Sequence, residues 1–258
     1  MEHQALRENW KVVIAAGGRS DDQLAAAMGT ASKALAPVAG VPSLLRVLLA
    51  CSGYETAVVA DEEVRAELGL TRVAEPGASS IGSIRSGLAM LSADGPTVFL
   101  PCDCPFIESA DIEAFIGAIE ARLGAAPPDK WFAAGLSSET AVRLRFPGAD
   151  YRFLRFREGR FASGGLFAAS RGGVQSALGV LERAAKGRKS QLQLALGFGL
   201  LPAARYLAGK ISLREAELRA GKILGGTGYL IVNCRPETTL DFDTPADWAY
   251  VTGASSGR

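Results

Sequence analysis

Three groups of residues could do chemistry, and they lie far apart along the chain. The first is Gly17-Gly18-Arg19, with Lys33 at the far end of the polar, Ala-rich stretch that follows. Two adjacent glycines let backbone N–H groups approach a polyphosphate closely. Arg19 can fork onto phosphate oxygens, and Lys33 offers a compact positive charge. The plainer reading is a Gly-rich turn with two solvated cations. The second group is Asp103, which follows the apolar run TVFLP at 97–101 and precedes Cys104-Pro105. A carboxylate at the tip of a buried strand suits a hard ion such as Mg²⁺, which prefers oxygen and keeps several waters. A turn or helix-capping aspartate is the alternative there. The third group is Asp241 and Asp243 in LDFDTPAD, 240–247. Alternation places both on one side of an extended segment. The competing role is capping by Asp243 or Thr244 of a helix begun at Pro245, with Asp247 answering the helix dipole.

Several chemistries are excluded at once. The chain has one histidine, His3, in a polar N-terminal tail. Ser-His-Asp and Cys-His nucleophile systems and His-rich zinc sites therefore have no basis. The opening loop is neither GxGxxG nor GxxxxGK[ST]. The chemistry has to run on carboxylates, Lys and Arg, backbone amides and a hard metal ion.

The elements that must position these groups alternate in the first half. KVVIAA (11–16), TAVVA (56–60), TRVAE (71–75) and TVFLP (97–101) read as strands, and 41–52, 62–68, 80–92 and 110–124 as helices. This rhythm predicts an α/β fold with a doubly wound, mostly parallel, Rossmann-like sheet, whose ligands sit beyond the carboxyl ends of the strands. In the second half, 131–135, 139–146 and 151–156 read as strands forming an antiparallel edge. Helices are expected over 173–187, 190–208 and 212–224, a helical C-terminal elaboration, with a further strand at 228–234.

The length of 258 residues, with 48% hydrophobic and 21% charged residues, suits one large domain or two small ones and excludes disorder as the main state. We expect a single domain over 1–258: a nucleotide-binding half (1–126), an acceptor-side half (127–251) and a disordered tail (252–258). A net charge of +1 argues against a nucleic-acid partner. The four cysteines form no CxxC pair, and the N-terminus lacks the apolar core of a secretory signal, so a cytoplasmic protein is expected. The apolar stretch 192–209 contains Pro202 and Arg205 and reads as a buried or interface helix, compatible with a homodimer, and not as a stable membrane insertion.

Taken together, the three groups resemble the MobA-like NTP transferases of the nucleotidyltransferase superfamily. Residues 16–19 and 33–42 are similar to an Ala-Gly-Gly-Arg loop followed by Lys-x-Leu-x-Pro-(Val/Ile)-x-Gly-x-Pro, 103–105 to Asp-x-Pro, and 241–247 to Asp-x-Asp-Thr-Pro-x-Asp. Ser83 to Leu88 is similar to the Ser-Val-x-x-Gly-Leu segment that helps hold the base in related cytidylyltransferases. The resemblance implies a sheet of the nucleotidyltransferase type. It also implies that an NMP moves from an NTP, GTP or CTP by preference, to a phosphorylated small-molecule acceptor, with Mg²⁺ as cofactor. It implies Lys33 and Arg19 as catalytic residues; Ala15, Ala16, Gly17, Gly18, Arg19, Ser83 and Gly87 around the nucleotide; and Asp103 with Asp243 or Asp241 on the metal.

The sequence also departs from that pattern. The stretch 20–32 replaces a shorter loop, and the Gly-Gly-Asn of many relatives stands here as Gly164-Gly165-Leu166. Gly164 and Gly165 remain candidates for acceptor binding, joined by Arg143 and Arg145 and by Lys189 of the basic cluster 186–189; charge protection of an edge strand is the other reading for the two arginines. Two alternatives stand beside the transferase: a nucleotide-sugar-dependent glycosyltransferase using Asp241-x-Asp243, and a non-catalytic nucleotide-binding domain. The C-terminal VTGASSG resembles a dehydrogenase cofactor loop, but no helix or second strand follows to give it oriented amides.

Overall fold

The run Val12-Val13-Ile14 is buried on both faces because helices cover both sides of the sheet: Val12 and Ile14 join the cluster of one face and Val13 that of the other. The computed structural model, which describes residues 9–92, 94–185 and 210–255, places β1 (Lys11–Ala15) between β4 (Glu55–Val59) and β6 (Thr97–Pro101), with Val13 opposite Ala57 and Phe99. The short β5 (Val73–Ala74) pairs parallel beyond β4. On the other side β9 (Gly159–Ala169) runs antiparallel to both β6 and β7 (Trp131–Ser138), and β10 (Thr227–Ile231) closes the sheet parallel to β7. The order among the described residues is therefore β10-β7-β9-β6-β1-β4-β5, with β8 (Leu154–Phe156) paired to β9 off this path. The antiparallel part, expected at an edge, is built on β9 inside the sheet. β9 outruns β6 and continues past its carboxyl end alongside β7 and β8. A separate hairpin, β2 (Pro37–Val38) and β3 (Val41–Pro42), turns through Ala39 and Gly40, both at positive φ.

Several of the helices start at side-chain caps. Asp21 accepts the Leu24 N–H to begin α1 (Asp22–Met28), inside the stretch expected as a loop. Then come α2 (Ser43–Ala50), α3 (Glu62–Glu67) capped by Asp61, α4 (Ser80–Ala89) capped by Ser79, and α5 (Ser109–Leu123), which opens with a Glu108/Asp111 capping box. Residues 139–146 are a correction. They form α6 (Glu139–Arg145), not a strand. The alternation Val142-Arg143-Leu144-Arg145 mimics a strand, but Ser138 caps the segment, Glu139 pairs with Arg143 one turn on, and Val142 and Phe146 share the buried face.

α7 (Arg171–Ala185) and α8 (Leu213–Leu224) follow. The last helix, α9 (Pro245–Ser255), starts at Pro245 as expected and runs through most of the segment expected as a tail, so Val251 to Ser255 are helical and not a cofactor loop. The expected 190–208 helix and the cluster 186–189 lie outside the described residues. No helix among those described is long and apolar enough to cross a membrane.

Two cores result. The main one packs α2 and α5 against the sheet, with Trp10 and Trp131 rings 5.8 Å apart and the Trp10 indole donating to Glu120. A second core lies off the sheet. It joins Leu24 and Met28 of α1, Val38, Phe146, Phe242 and Trp248, and so fastens the opening insertion to the C-terminal helix. At the sheet margin the outward Leu230 N–H of β10 donates to the Glu217 carboxylate at 2.8 Å. Arg122 in turn donates to Glu217 at 2.8 Å.

Candidate active site

The carboxyl ends of β1, β4 and β6 open into a cleft of about 530 Å³. This is where the order β6-β1-β4 reverses direction, the switch point at which open α/β sheets bind ligands. Ala15, Gly17, Gly18 and Arg19 line it after β1, Lys33 and Asp103 line its mouth, and Ser83 lines it from α4.

Lys33 sits in a short 3₁₀ turn (Lys33–Leu35) anchored by the buried Ala34 and Ala36. Its ammonium donates to Asp103 Oδ2 at 2.7 Å and also to Asp243 Oδ1. Residues separated by 70 and 210 positions in sequence thus meet at one nitrogen. The Lys33 and Asp103 side chains are 19% and 14% exposed, whereas Asp243 is 71% exposed, so the first pair is sheltered and the second faces the solvent. Burial works against the Lys33 charge, but the charges and hydrogen bonds of Asp103 and Asp243 outweigh it and raise the ammonium's pKa. Asp241 is open to solvent, yet protein crowds its carboxyl. That desolvation first, then repulsion from Asp103 and Asp243, pushes it up to about 6.

A carboxylate whose neighbours are carboxylates marks a place short of positive charge, and Lys33 now stands between two of them as the cation. The donors are oxygens only, which suits a hard divalent ion held by one or two carboxylates and waters. No group of three or more metal-ligating side chains converges among the described residues, so a protein cage is not offered.

The other expected residues divide. Arg19 lines the cleft, but its guanidinium pairs with Glu63 at 2.5 Å. Ala16 is buried and its N–H is committed to Val59 O at 2.8 Å. Gly87 does not reach the cleft: a Cβ there would come within 2.8 Å of Val13 and Val59, so the missing side chain lets α4 lie on the sheet. Gly164 and Gly165 likewise mark close approaches. A Cβ on Gly164 would sit 2.0 Å from Thr238 O, and one on Gly165 would sit 2.9 Å from Cys104 Sγ. Arg145 donates to the buried Glu237 at 2.7 Å, and Arg143 to Glu139 at 2.8 Å. Lys189 lies outside the described residues. At the C-terminal motif, Thr244 and Asp247 exchange hydrogen bonds as a cap of α9, which leaves the Asp243 side chain free to meet Lys33.

Sequence reasoning missed the segment 76–80, which walls the cleft just before α4. A Cβ on Gly77 would stand 2.6 Å from Gly82 Cα, and the Gly77 N–H donates to Ser83 Oγ at 3.1 Å. Pro76-Gly77 directly after a strand was the available signal. Ser43 was also missed. It is fully buried and donates to Cys102 O at 2.6 Å, fixing the loop that carries Asp103.

Residues 12–138 match the family model described as the MobA-like NTP transferase domain. Among solved structures, a hypothetical transferase from Thermus thermophilus is 26% identical with a TM-score of 0.76, covering 92% of this chain and 99% of its own. A CMP:2-keto-3-deoxy-manno-octonic acid synthetase complexed with CTP is 15% identical with a TM-score of 0.58, over 96% of this chain and 99% of its own. Molybdopterin-guanine dinucleotide biosynthesis protein A from Archaeoglobus fulgidus is 17% identical with a TM-score of 0.53, over 96% of this chain and 100% of its own. No curated protein matches the chain.

Proposed function

We propose, from the premise that residues 12–138 are a MobA-like NTP transferase domain and the chain a nucleotidyltransferase, that it moves an NMP from an NTP to a phosphorylated small molecule in the cytoplasm. The observation that carries the reading is the Lys33 ammonium held between Asp103 and Asp243 at the mouth of the Gly17-Gly18 cleft. GTP and CTP are the favoured donors, by likeness to relatives named for guanine and cytidine nucleotides.

In this reading the base rests on Ala15 and Ser83, against the 76–80 wall, and the phosphates on the amides after β1. Arg19 leaves Glu63 to clamp them. An acceptor phosphate oxygen attacks the α-phosphorus in line; the new P–O bond forms as the bond to the bridging oxygen breaks, and pyrophosphate leaves. A phosphate monoester is already ionised near neutrality, so the step needs positioning and charge neutralisation more than a base. Lys33 stabilises charge on the transferring phosphorus. Asp103 and Asp243 are the residues that would hold Mg²⁺, which supplies charge neutralisation across the phosphates when bound.

The test has two arms. A thermal-shift screen of the four NTPs with Mg²⁺ should single out one base, because a ligand that binds only the folded state raises its midpoint. Pyrophosphate release from that NTP across phosphorylated acceptors should then depend on Asp103. A folded Asp103→Ala variant turning over at the parent rate would remove the assignment.

A further inference from the structure

Six arginines fall between positions 143 and 160. Two of them meet over one ring beside the β8–β9 hairpin, and a third faces one of these across the strand pair. The guanidiniums of Arg143 and Arg160 lie 5.1 and 5.3 Å from the Phe153 ring centroid. The same two guanidiniums share one carboxylate: Arg143 donates to Glu139 Oε1 at 2.8 Å and Arg160 to Oε2 at 3.1 Å. Arg155 stands directly opposite Arg160 in the strand register. It is exposed and, among the described residues, has no carboxylate partner. Like charges facing each other across two strands destabilise the pair. Charge protection of an edge strand explains Arg155 but not Arg160, which sits on the inner strand of the hairpin. Glu158, next to the hairpin turn, faces Arg157 at 3.8 Å and accepts the Leu213 N–H at the start of α8 at 3.0 Å.

This patch connects to the cleft. β9 passes Cys104 and Pro101 at Gly165 and reaches Arg160 five residues earlier, roughly 16 Å away at strand rise. Asp241 and Tyr151 line one small cleft of about 120 Å³, and the Tyr151 ring lies 5.8 Å from Phe153. A path of side chains thus runs from the carboxylates to the arginines.

We propose that Arg143, Arg155 and Arg160 form a second anion site, which takes a distal phosphate or carboxylate of the acceptor. The location rests on the transferase reading; the anion site itself does not. It restricts the acceptor class to molecules that carry a second anionic group remote from the reacting phosphate. Glu139 and Phe153 hold two guanidiniums in place, so little side-chain freedom is lost on binding, and the anion relieves the repulsion that Arg155 now suffers.

Arg155→Ala is the first variant, because its side chain is exposed and packs no core. Inorganic phosphate is the probe, read by thermal midpoint against chloride of matched ionic strength. The parent should show an upward shift that Arg155→Ala loses by at least half and that Lys33→Ala retains. Without phosphate and at low salt, Arg155→Ala should melt above the parent, because the like-charge contact is gone. Once any acceptor supports pyrophosphate release, Arg155→Ala should raise its KM about tenfold and leave kcat and the NTP KM unchanged, with Arg155→Lys in between. A parent with no phosphate shift beyond chloride, an equal shift in Arg155→Ala, or an unchanged acceptor KM would each overturn the site. Absence of NTP binding would sink the transferase reading and leave the phosphate measurement to decide this one.

Discussion

The cleft after β1 and the β8–β9 hairpin, with α6 packed on it, handle charge in opposite ways. In the cleft, backbone does most of the shaping. Gly17 against Pro76 and Gly77 against Gly82 are so close that a methyl group would not fit, and the charged residues are few and mutually neutralised around Lys33. On the hairpin, side chains do the shaping, and positive charge is left in excess, with Arg143 and Arg160 on one carboxylate and Arg155 on none. A site made from backbone is rigid and general, suited to a part common to all substrates. A site made from long side chains is selective and replaceable, suited to the part that differs.

The sharpest way to break that contrast is by rate. Lys33→Ala should lower kcat about a hundredfold or more, of order 3 kcal/mol, because a preorganised cation facing developing charge is lost. The same measurement on Arg155→Ala should show kcat unchanged; equal losses would mean that both regions serve the chemical step. Next in size are two glycines. Gly77→Ala and Gly164→Ala both force a Cβ into backbone, at 2.6 Å from Gly82 Cα and 2.0 Å from Thr238 O, and each should cost about 1–3 kcal/mol by urea unfolding. Nucleotide affinity, read by titration, should fall only in the first. If both lose affinity, the cleft and the β9 arm are not separate.

The smallest effect is electrostatic. The Asp241 carboxyl is pushed up to about 6 in the folded chain, against about 4 when unfolded. A raised folded pKa means that the native state holds the extra proton between those values. Stability from this group is therefore fully present below about pH 4 and lost as pH rises through about 6. Asp241→Asn should flatten that slope and gain up to ~1 kcal/mol at pH 7, a modest figure because the residue is open to solvent.

The same contrast explains what could be read in advance. β1, β4 and β6 were legible because buried parallel strands are apolar runs, and Lys33, Asp103 and Asp243 because they follow such elements or their motifs. Ligand sites of this architecture lie in loops at strand ends, so locating the strands locates the site. The 76–80 wall was not legible, because its fit depends on how near Gly82 comes, which no spacing records. α6 was misread where local alternation outweighed a cap and one ion pair. Gly87, Gly164 and Gly165 looked like ligand contacts, yet each sits where another part of the protein presses against it. The opposition of Arg155 and Arg160 is fixed by the hairpin register around Gly159, at φ +147°, and that register is invisible until the two strands are paired.

One bond at the far end of the sheet has a wider reach. Leu230 turns its amide outward, and Glu217 takes it. With that amide occupied and Arg122 alongside, β10 presents no template on which a foreign strand could extend the sheet, while the opposite border, β5, is two residues long. Strand addition is discouraged at these two borders, and the third exposed edge, β8, is three residues long and carries Arg155 at its centre.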